Sequence, residues 1–316
     1  MNVPLIQTKN LKKYFDTKRG PLHAVDDVNI SINKGETLGV VGESGCGKST
    51  LGRVILRLLA PTGGEVLFEG RNILNYSKNE MKEMRKQMQI IFQDPFASLN
   101  PRMTVSDIIA EPIRVCGVIK NKNDILERVF ELMSIVGLAE RFVNTYPHEL
   151  DGGRRQRIGV ARALALKPKF IVCDEPVSAL DVSIQAQILN LMMDLQDSMN
   201  LTYMFITHDL SVVKHISDNI VVMYLGQCVE LASTDELFEN PIHPYTKALL
   251  DAILVPSLKN RKQLKIIKGE VASPINPKPG CRFAPRCPMV TSDCLQPGLS
   301  LKEISPGHFV SCFLYK

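Results

Sequence analysis

Two short stretches of this chain concentrate the residue types needed to hold phosphate and move a proton. The first is Gly42-Glu43-Ser44-Gly45-Cys46-Gly47-Lys48-Ser49, followed by Thr50, which fits the spacing G-x-x-x-x-G-K-[ST] at every fixed position. Glycines there let the backbone wrap closely and turn its N–H groups inward, as an anion requires. The stretch follows an apolar run, Leu38 to Val41, and opens a helical one. A helix N-terminus therefore adds positive potential at the same point. Lys48 suits the β- and γ-phosphates of a nucleotide, and the Ser49 hydroxyl suits Mg2+. A plain glycine-rich strand-to-helix turn leaves Lys-Ser in register unexplained. The second stretch is Phe170-Ile171-Val172-Cys173-Asp174-Glu175, an apolar run ending in two acids. Buried strands rarely end in adjacent carboxylates unless a cation or a reaction uses them. Asp174 suits Mg2+, and Glu175 suits a general base acting on water.

Between them lies Leu150-Asp151-Gly152-Gly153-Arg154-Arg155-Gln156-Arg157, at the opening of a further helix. With this third stretch the chain resembles the ABC ATPase family, whose signature Leu-Ser-Gly-Gly-Gln is matched at Leu150, Gly152 and Gly153. Gln93 resembles the family's Q-loop glutamine, Ser178-Ala179-Leu180-Asp181 its D-loop, and His208 its switch histidine. Phe15, with Tyr14 as its neighbouring alternative, resembles the aromatic that stacks on adenine. The resemblance implies two such domains dimerised head to tail with ATP between one subunit's phosphate loop and the other's signature. On that scheme Lys48, Gln93, Glu175 and His208 are catalytic, while Ser49, Gln93 and Asp174 hold Mg2+. The nucleotide is bound by Glu43 to Thr50 and Asp181, and Gly152, Gly153 and Arg154 serve the partner's site.

Position 151 departs from the pattern, with Asp in place of Ser. As a helix N-cap the two are equivalent. As a phosphate contact they are not, because an ionised carboxylate only accepts hydrogen bonds. Like charges ~4 Å apart at an effective dielectric of ~20 repel by about 4 kcal/mol. Arg154 and Arg155 are the nearby charges that can offset this. The expectation is an asymmetric heterodimer whose stronger site is this chain's own, with Lys48 and Glu175.

The elements that must position these groups alternate between strand-like and helical runs. Strands are expected at Thr37 to Val41, Gln89 to Phe92, Phe170 to Cys173, Tyr203 to Thr207 and Ile220 to Tyr224. Helices are expected at Ser49 to Leu59, Asp124 to Val136, Arg155 to Leu166 and Ile184 to Met199. That alternation predicts an α/β fold around a largely parallel sheet. The resemblance makes 1–240 an ABC ATPase domain, with a helical subdomain of about 94–160 inserted in the core to meet membrane subunits. After Asn240 the texture changes, and ten of the nineteen prolines fall there. We expect 241–316 to form a small irregular tail domain that needs a cross-link.

The tail carries Cys281, Cys287, Cys294 and Cys312, half of the eight cysteines. In a reducing compartment such a cluster suggests metal before disulfides. The spacing lacks a C-x-x-C pair, a poor match to a zinc ribbon. Zinc, free thiols and an iron–sulfur site, for which Cys287-Pro288 offers a weak match, stay open on the residues alone. The tail in turn resembles that of oligopeptide/dipeptide importer ATPases, through His243-Pro244-Tyr245-Thr246, Ser273-Pro274-Ile275-Asn276-Pro277 and Pro306-Gly307-His308. The run Gln93 to Pro101 resembles the second ATPase subunit of such systems. The resemblance implies a [4Fe–4S] cluster on the four cysteines, with ATP and Mg2+ as the other cofactors. It also implies a homologous second ATPase subunit, two transmembrane permease subunits and, indirectly, an extracytoplasmic peptide-binding protein as partners. His308 is expected in a loop, and Cys46 and Cys173 as small buried residues.

Composition narrows the class. With 45% hydrophobic and 22% charged residues the chain is ordinarily globular. A net charge of +5 is mild and, without a concentrated patch, does not argue for nucleic acid, which is not expected as a partner. There is no apolar run of ~18 residues and no charged-then-apolar leader from Met1 to Asn10. The chain is therefore expected in the cytosol, and the resemblance implies that partners hold it at the cytoplasmic face of the cell membrane. A nickel or other small-solute importer is the alternative of the same class. A soluble ABC ATPase working on DNA or ribosomes, or an ATP-sensing module, are the alternatives of other classes.

Overall fold

The computed structural model describes residues 3–252, 269 and 272–315, so the remainder of the expected tail domain, 253–268, 270, 271 and 316, lies outside the described residues. The chain divides into two compact units. One comprises Met1–Ile32, Thr37–Leu74 and Thr207–Lys316; the other comprises Asn33–Glu36 and Asn75–Ile206.

The first unit holds the phosphate loop. The strand Thr37–Val41 is buried at all five positions and runs parallel to Asn219–Tyr224. A strand covered on both faces reads as a continuous apolar run, which is why Leu38 to Val41 was legible. Asn219–Tyr224 continues as an antiparallel hairpin into Gln227–Ser233. The tail then adds two short strands to this sheet, His308–Val310 on Gln227–Ser233 and Lys302–Ser305 on His308–Val310. A separate antiparallel sheet runs Gly20–Val28, Ile6–Thr17, Gly63–Phe68 and Arg71–Asn72. Its strands leave part of their length exposed, unlike the wholly buried Thr37–Val41.

The second unit contains a parallel ladder of Met88–Ile91, Phe170–Asp174 and Thr202–Ile206. Its helices include Val105–Cys116, Lys122–Ile135, Gly152–Leu164 and Val182–Met199. Three of the four expected helices begin two or three residues before the expected start. The cause is the caps. Asn121, Asp151 and Asp181 each turn a side-chain oxygen onto a first-turn N–H, so the helix starts directly after them. The fourth, expected to reach Leu59, ends at Ile55. Arg57 takes a left-handed conformation (φ 52°) that a continuing helix does not allow. No helix among the described residues is long and apolar enough to cross a membrane.

His308 corrects an expectation. It is buried in the strand His308–Val310, where a loop histidine was expected. Its Nε2 lies 2.8 Å from Glu230 and its Nδ1 3.2 Å from Glu236. Glu230 is itself fully buried and also accepts from the backbone N–H groups of Ile242 and His243. The histidine thus satisfies a carboxylate that would otherwise be desolvated without enough partners.

Candidate functional site

The phosphate loop leaves the buried end of Thr37–Val41 and feeds the helix Lys48–Ile55. Gly42 and Gly47 have φ of 150° and 106°. A Cβ at Gly42 would sit 2.2 Å from the Met223 carbonyl oxygen, and one at Gly47 2.0 Å from that of Ala24. Both positions therefore need glycine for space as well as for backbone angle. Gly47 is the N-cap and brings no side chain to the first-turn N–H groups. Lys48 is buried, with its ammonium donating to the Gly42 carbonyl at 2.8 Å and the Glu43 carbonyl at 3.1 Å. Ser44 and Gly45 are exposed at the tip; Ser49 and Thr50 are half-buried in the first turn. Burial pushes the Cys46 thiol up, against the opposing effect of Lys48, so Cys46 stays a protonated packing residue. The same cause pushes Cys173 well up.

Near the phosphate loop the structure shows contacts that the sequence reading missed. Glu43 receives both terminal nitrogens of Arg286, at 2.8 and 3.1 Å, and its backbone N–H donates to the Tyr245 hydroxyl at 3.0 Å. Arg282 bonds the Asp26 carboxylate and the Leu225 carbonyl. Asp26 also accepts from the Tyr14 hydroxyl and lies 3.0 Å from His23 Nδ1. Burial alone would raise the Asp26 carboxyl, but Tyr14, His23 and Arg282 together hold it below the usual carboxylate range. The pairings of Glu43 with Arg286 and Tyr245, and of Asp26 with Arg282, span some 200 residues of sequence or more, and no local pattern announces them.

The two adenine candidates separate. The Tyr14 ring stacks on His23 at 3.8 Å, with its hydroxyl tied to Asp26. Phe15 is half-buried, with the Lys13 ammonium 4.8 Å from its ring centre. His208 is exposed, one residue after Thr207, whose N–H donates to the Val40 carbonyl of the strand feeding the loop. Asp209 caps the following helix Leu210–Ile216.

In the second unit the structure brings Gln93 and Glu175 together, with Gln93 Nε2 donating to the Glu175 carboxylate at 2.9 Å. Asp174 is buried at the end of Phe170–Asp174. Glu175 has φ 48° and donates its N–H to the Ile206 carbonyl. A left-handed glutamate is uncommon and costs on the order of 1 kcal/mol, and such outliers gather at working sites. Asp181 caps Val182–Met199 by accepting from the Ile184 N–H at 3.0 Å. At the signature, Asp151 accepts from the Arg154 N–H and pairs with the Arg154 guanidinium, both at 2.8 Å. Arg155 turns elsewhere: its Nε donates to the Leu150 carbonyl and its guanidinium lies over the Phe96 ring. Of the two arginines, Arg154 is the one that pairs directly with Asp151, while Arg155 acts on it only at longer range. Gly152 and Gly153 lie in the first turn, where a Cβ on Gly153 would meet Ile184 at 2.6 Å.

The four tail cysteines are not disulfide-bonded. Burial pushes the Cys281 thiol up to about 11, and the nearby Cys294 and Cys312 add to the effect. Cys287 and Cys312 are pushed up by burial too, and each interacts with Cys294. Four thiols within electrostatic reach of one another are the donor chemistry of a thiolate-bound metal group. Among the described residues, however, no three His, Cys, Asp or Glu side chains are placed to hold a metal ion.

Comparison with known proteins adds a family. Residues 25–178 match the family model described as ABC transporter. Residues 229–294 match the model for the C-terminal region of oligopeptide/dipeptide transporters. The chain is 51% identical to the oligopeptide transport ATP-binding protein AppF of Bacillus subtilis, covering 98% of this chain and 97% of that one. It is also 51% identical to the oligopeptide transport ATP-binding protein OppF of Salmonella typhimurium, covering 98% and 95%. Among solved structures it resembles the dimeric post-hydrolysis state of the ATP-binding cassette MJ0796 bound to ADP and Pi. That likeness has TM-score 0.66 and 29% identity, over 72% of this chain and 98% of that one. A second likeness, at TM-score 0.66 and 27% identity, is to cbiO1 from Clostridium perfringens, part of the transporter complex cbiONQ, over 75% and 91%.

Proposed function

The chain belongs to the ABC transporter ATP-binding family, and from that premise we propose that it is the ATP-hydrolysing subunit of an importer for di- or oligopeptides. The phosphate loop carries the proposal: its glycines, uncapped helix N-terminus and buried Lys48 form a cradle for nucleotide phosphates. The full-length similarity to oligopeptide transport ATP-binding proteins supports the cargo class.

In this reading the loop and first-turn N–H groups from Gly45 to Thr50 receive the phosphates, and Lys48 exchanges its bonds to loop carbonyls for phosphate oxygens. Ser49, Asp174 and Gln93 would hold Mg2+, which when bound neutralises charge on the β- and γ-phosphates. Glu175 takes the proton of the attacking water, with Gln93 fixing the carboxylate's orientation. His208 and Asp181 complete the nucleotide's surroundings, and Phe15 packs on the base. Phe15 is preferred to Tyr14, whose ring and hydroxyl are already engaged.

A second, homologous ATPase subunit offers its signature to this site, while Gly152, Gly153 and Arg154 serve the partner's. The Arg154 pair only partly screens Asp151, because exposed ion pairs are worth about 0–1 kcal/mol. The partner's site is therefore the weaker one. Two permease subunits, met by the helical stretch of about 94–160, hold the chain at the membrane and couple closure to transport. Cys281, Cys287, Cys294 and Cys312 would hold a [4Fe–4S] cluster, which would supply cross-links to the proline-rich tail.

Co-purification with permeases and reconstitution into vesicles tests the function. The expected result is ATP-dependent peptide uptake, abolished by Lys48→Ala. Uptake of nickel and not peptide would replace the cargo; recovery with ribosomes or DNA would replace the class. Anaerobic purification should give absorbance near ~400 nm and bound iron, and a metal-free tail would remove the cluster.

A further inference from the structure

The tail reaches into the phosphate loop at one residue, Glu43, whose four backbone and carboxylate polar atoms are all engaged. Its N–H donates to the Tyr245 hydroxyl at 3.0 Å. Its carbonyl accepts from Lys48 at 3.1 Å and from the Cys46 N–H at 3.2 Å. Both carboxylate oxygens take the fork of Arg286. Two of these partners, Tyr245 and Arg286, come from the tail. Arg286 is deeply placed, its side chain 7% exposed, and its Nε is buried without a partner among the described residues. Both terminal nitrogens thus reach Glu43, and Nη1 also lies 3.4 Å from the Tyr224 hydroxyl, while Nε goes unsatisfied, a costly arrangement for a residue that merely packs. Tyr245 is fully buried, wedged between Tyr224 and Phe283 at ring distances of 4.7 and 5.3 Å. Its hydroxyl is therefore fixed in position.

We propose that Arg286, with Tyr245, is a positioning residue for nucleotide binding: the tail pre-sets the phosphate loop by gripping Glu43. A glycine-rich loop loses conformational freedom when its N–H groups converge on phosphate, and bracing it beforehand lowers that loss on binding. The grip falls on the second residue of the loop and leaves the exposed tip, Ser44 and Gly45, unobstructed. The proposal rests on the reading of the loop as the nucleotide site. It adds that a segment far along the chain, just before Cys287, sets the loop's affinity.

The test is titration of the full-length chain with a fluorescent ATP analogue and Mg2+, recording Kd and the number of sites separately. Wild type and Lys48→Ala set the scale. Arg286→Gln should raise Kd at least tenfold at an unchanged number of sites, and Arg286→Lys, which keeps charge but loses the fork, by less. Tyr245→Phe, nearly isosteric, should raise it about threefold, as loss of one neutral hydrogen bond does. A role confined to folding would instead lower the number of sites and leave Kd unchanged. If Arg286→Gln does not fold, Tyr245→Phe and Arg286→Lys decide. Wild-type Kd, within a factor of two, in the folded variants would overturn the proposal while the Lys48→Ala loss keeps the site reading intact. Equal binding by wild type and Lys48→Ala would overturn both.

Discussion

The phosphate loop and the signature each end in a helix N-terminus with glycines in or beside the first turn, yet they meet an anion differently. At Lys48–Ile55 the cap is Gly47, and no side chain competes for the first amides. At Gly152–Leu164 the cap is Asp151, whose carboxylate already occupies the Arg154 N–H. One terminus is open to a phosphate; the other carries its own negative charge. The helix Pro244–Asp251 gives a third case, capped by a neutral ring, with His243 Nδ1 accepting from the Tyr245 N–H. The same backbone dipole thus meets an empty cap, an anionic carboxylate or a neutral ring according to the residue at the cap.

The largest expected effect comes from closing the open terminus. Gly47→Ala places a Cβ against the Ala24 carbonyl at a left-handed φ. It should abolish nucleotide binding and lower stability by about 3 kcal/mol or more, read by denaturant unfolding. Stability unchanged within about 0.5 kcal/mol would show that the loop tolerates a side chain and that glycine is not what keeps it open.

Next is the neutral cap. Burial pushes His243 down to about 3, so the folded protein keeps it unprotonated while the unfolded chain takes a proton below about 6.5. The unfolded state then binds more protons, and stability falls as pH drops from about 6.5 toward about 3. The slope from this residue is about 1.4 kcal/mol per pH unit. His243→Asn, which retains an acceptor, should flatten the acid limb by that slope in unfolding experiments between pH 6.5 and 4.5. An unaltered limb would mean the ring is protonated in the fold.

The smallest effect concerns the anionic cap. Asp151→Ser keeps a cap but removes the charge that the proposed arrangement sets against the partner's nucleotide. Since Arg154 already offsets part of that charge, the gain should be on the order of 1 kcal/mol, about fivefold in ATP-dependent association of the two ATPase subunits. Unchanged or weaker association would mean that Asp151 does not oppose the partner's phosphate.

Much of this site was legible because its chemistry is local. The spacing from Gly42 to Ser49 and the acids ending Phe170–Asp174 lie in unbroken runs of sequence. Buried parallel strands read as apolar runs for the same reason, and their bounds agreed to within a residue. What escaped was non-local. The tail partners of Glu43 lie some 200 or more residues away, and an Arg or Tyr in a proline-rich tail looks like solvated surface until the fold buries it. His308 was misread for the same cause, since a histidine beside Pro-Gly gives no sign of the carboxylate it covers.

The central claim is that this chain hydrolyses ATP at its own open phosphate loop with Glu175 as base. The direct measurement is ATP turnover by the assembled transporter carrying Glu175→Gln in this subunit alone. The account predicts a fall of at least about 100-fold, the scale of a lost general base, with ATP still bound. Turnover within a factor of two of wild type would contradict it and place the productive site in the partner.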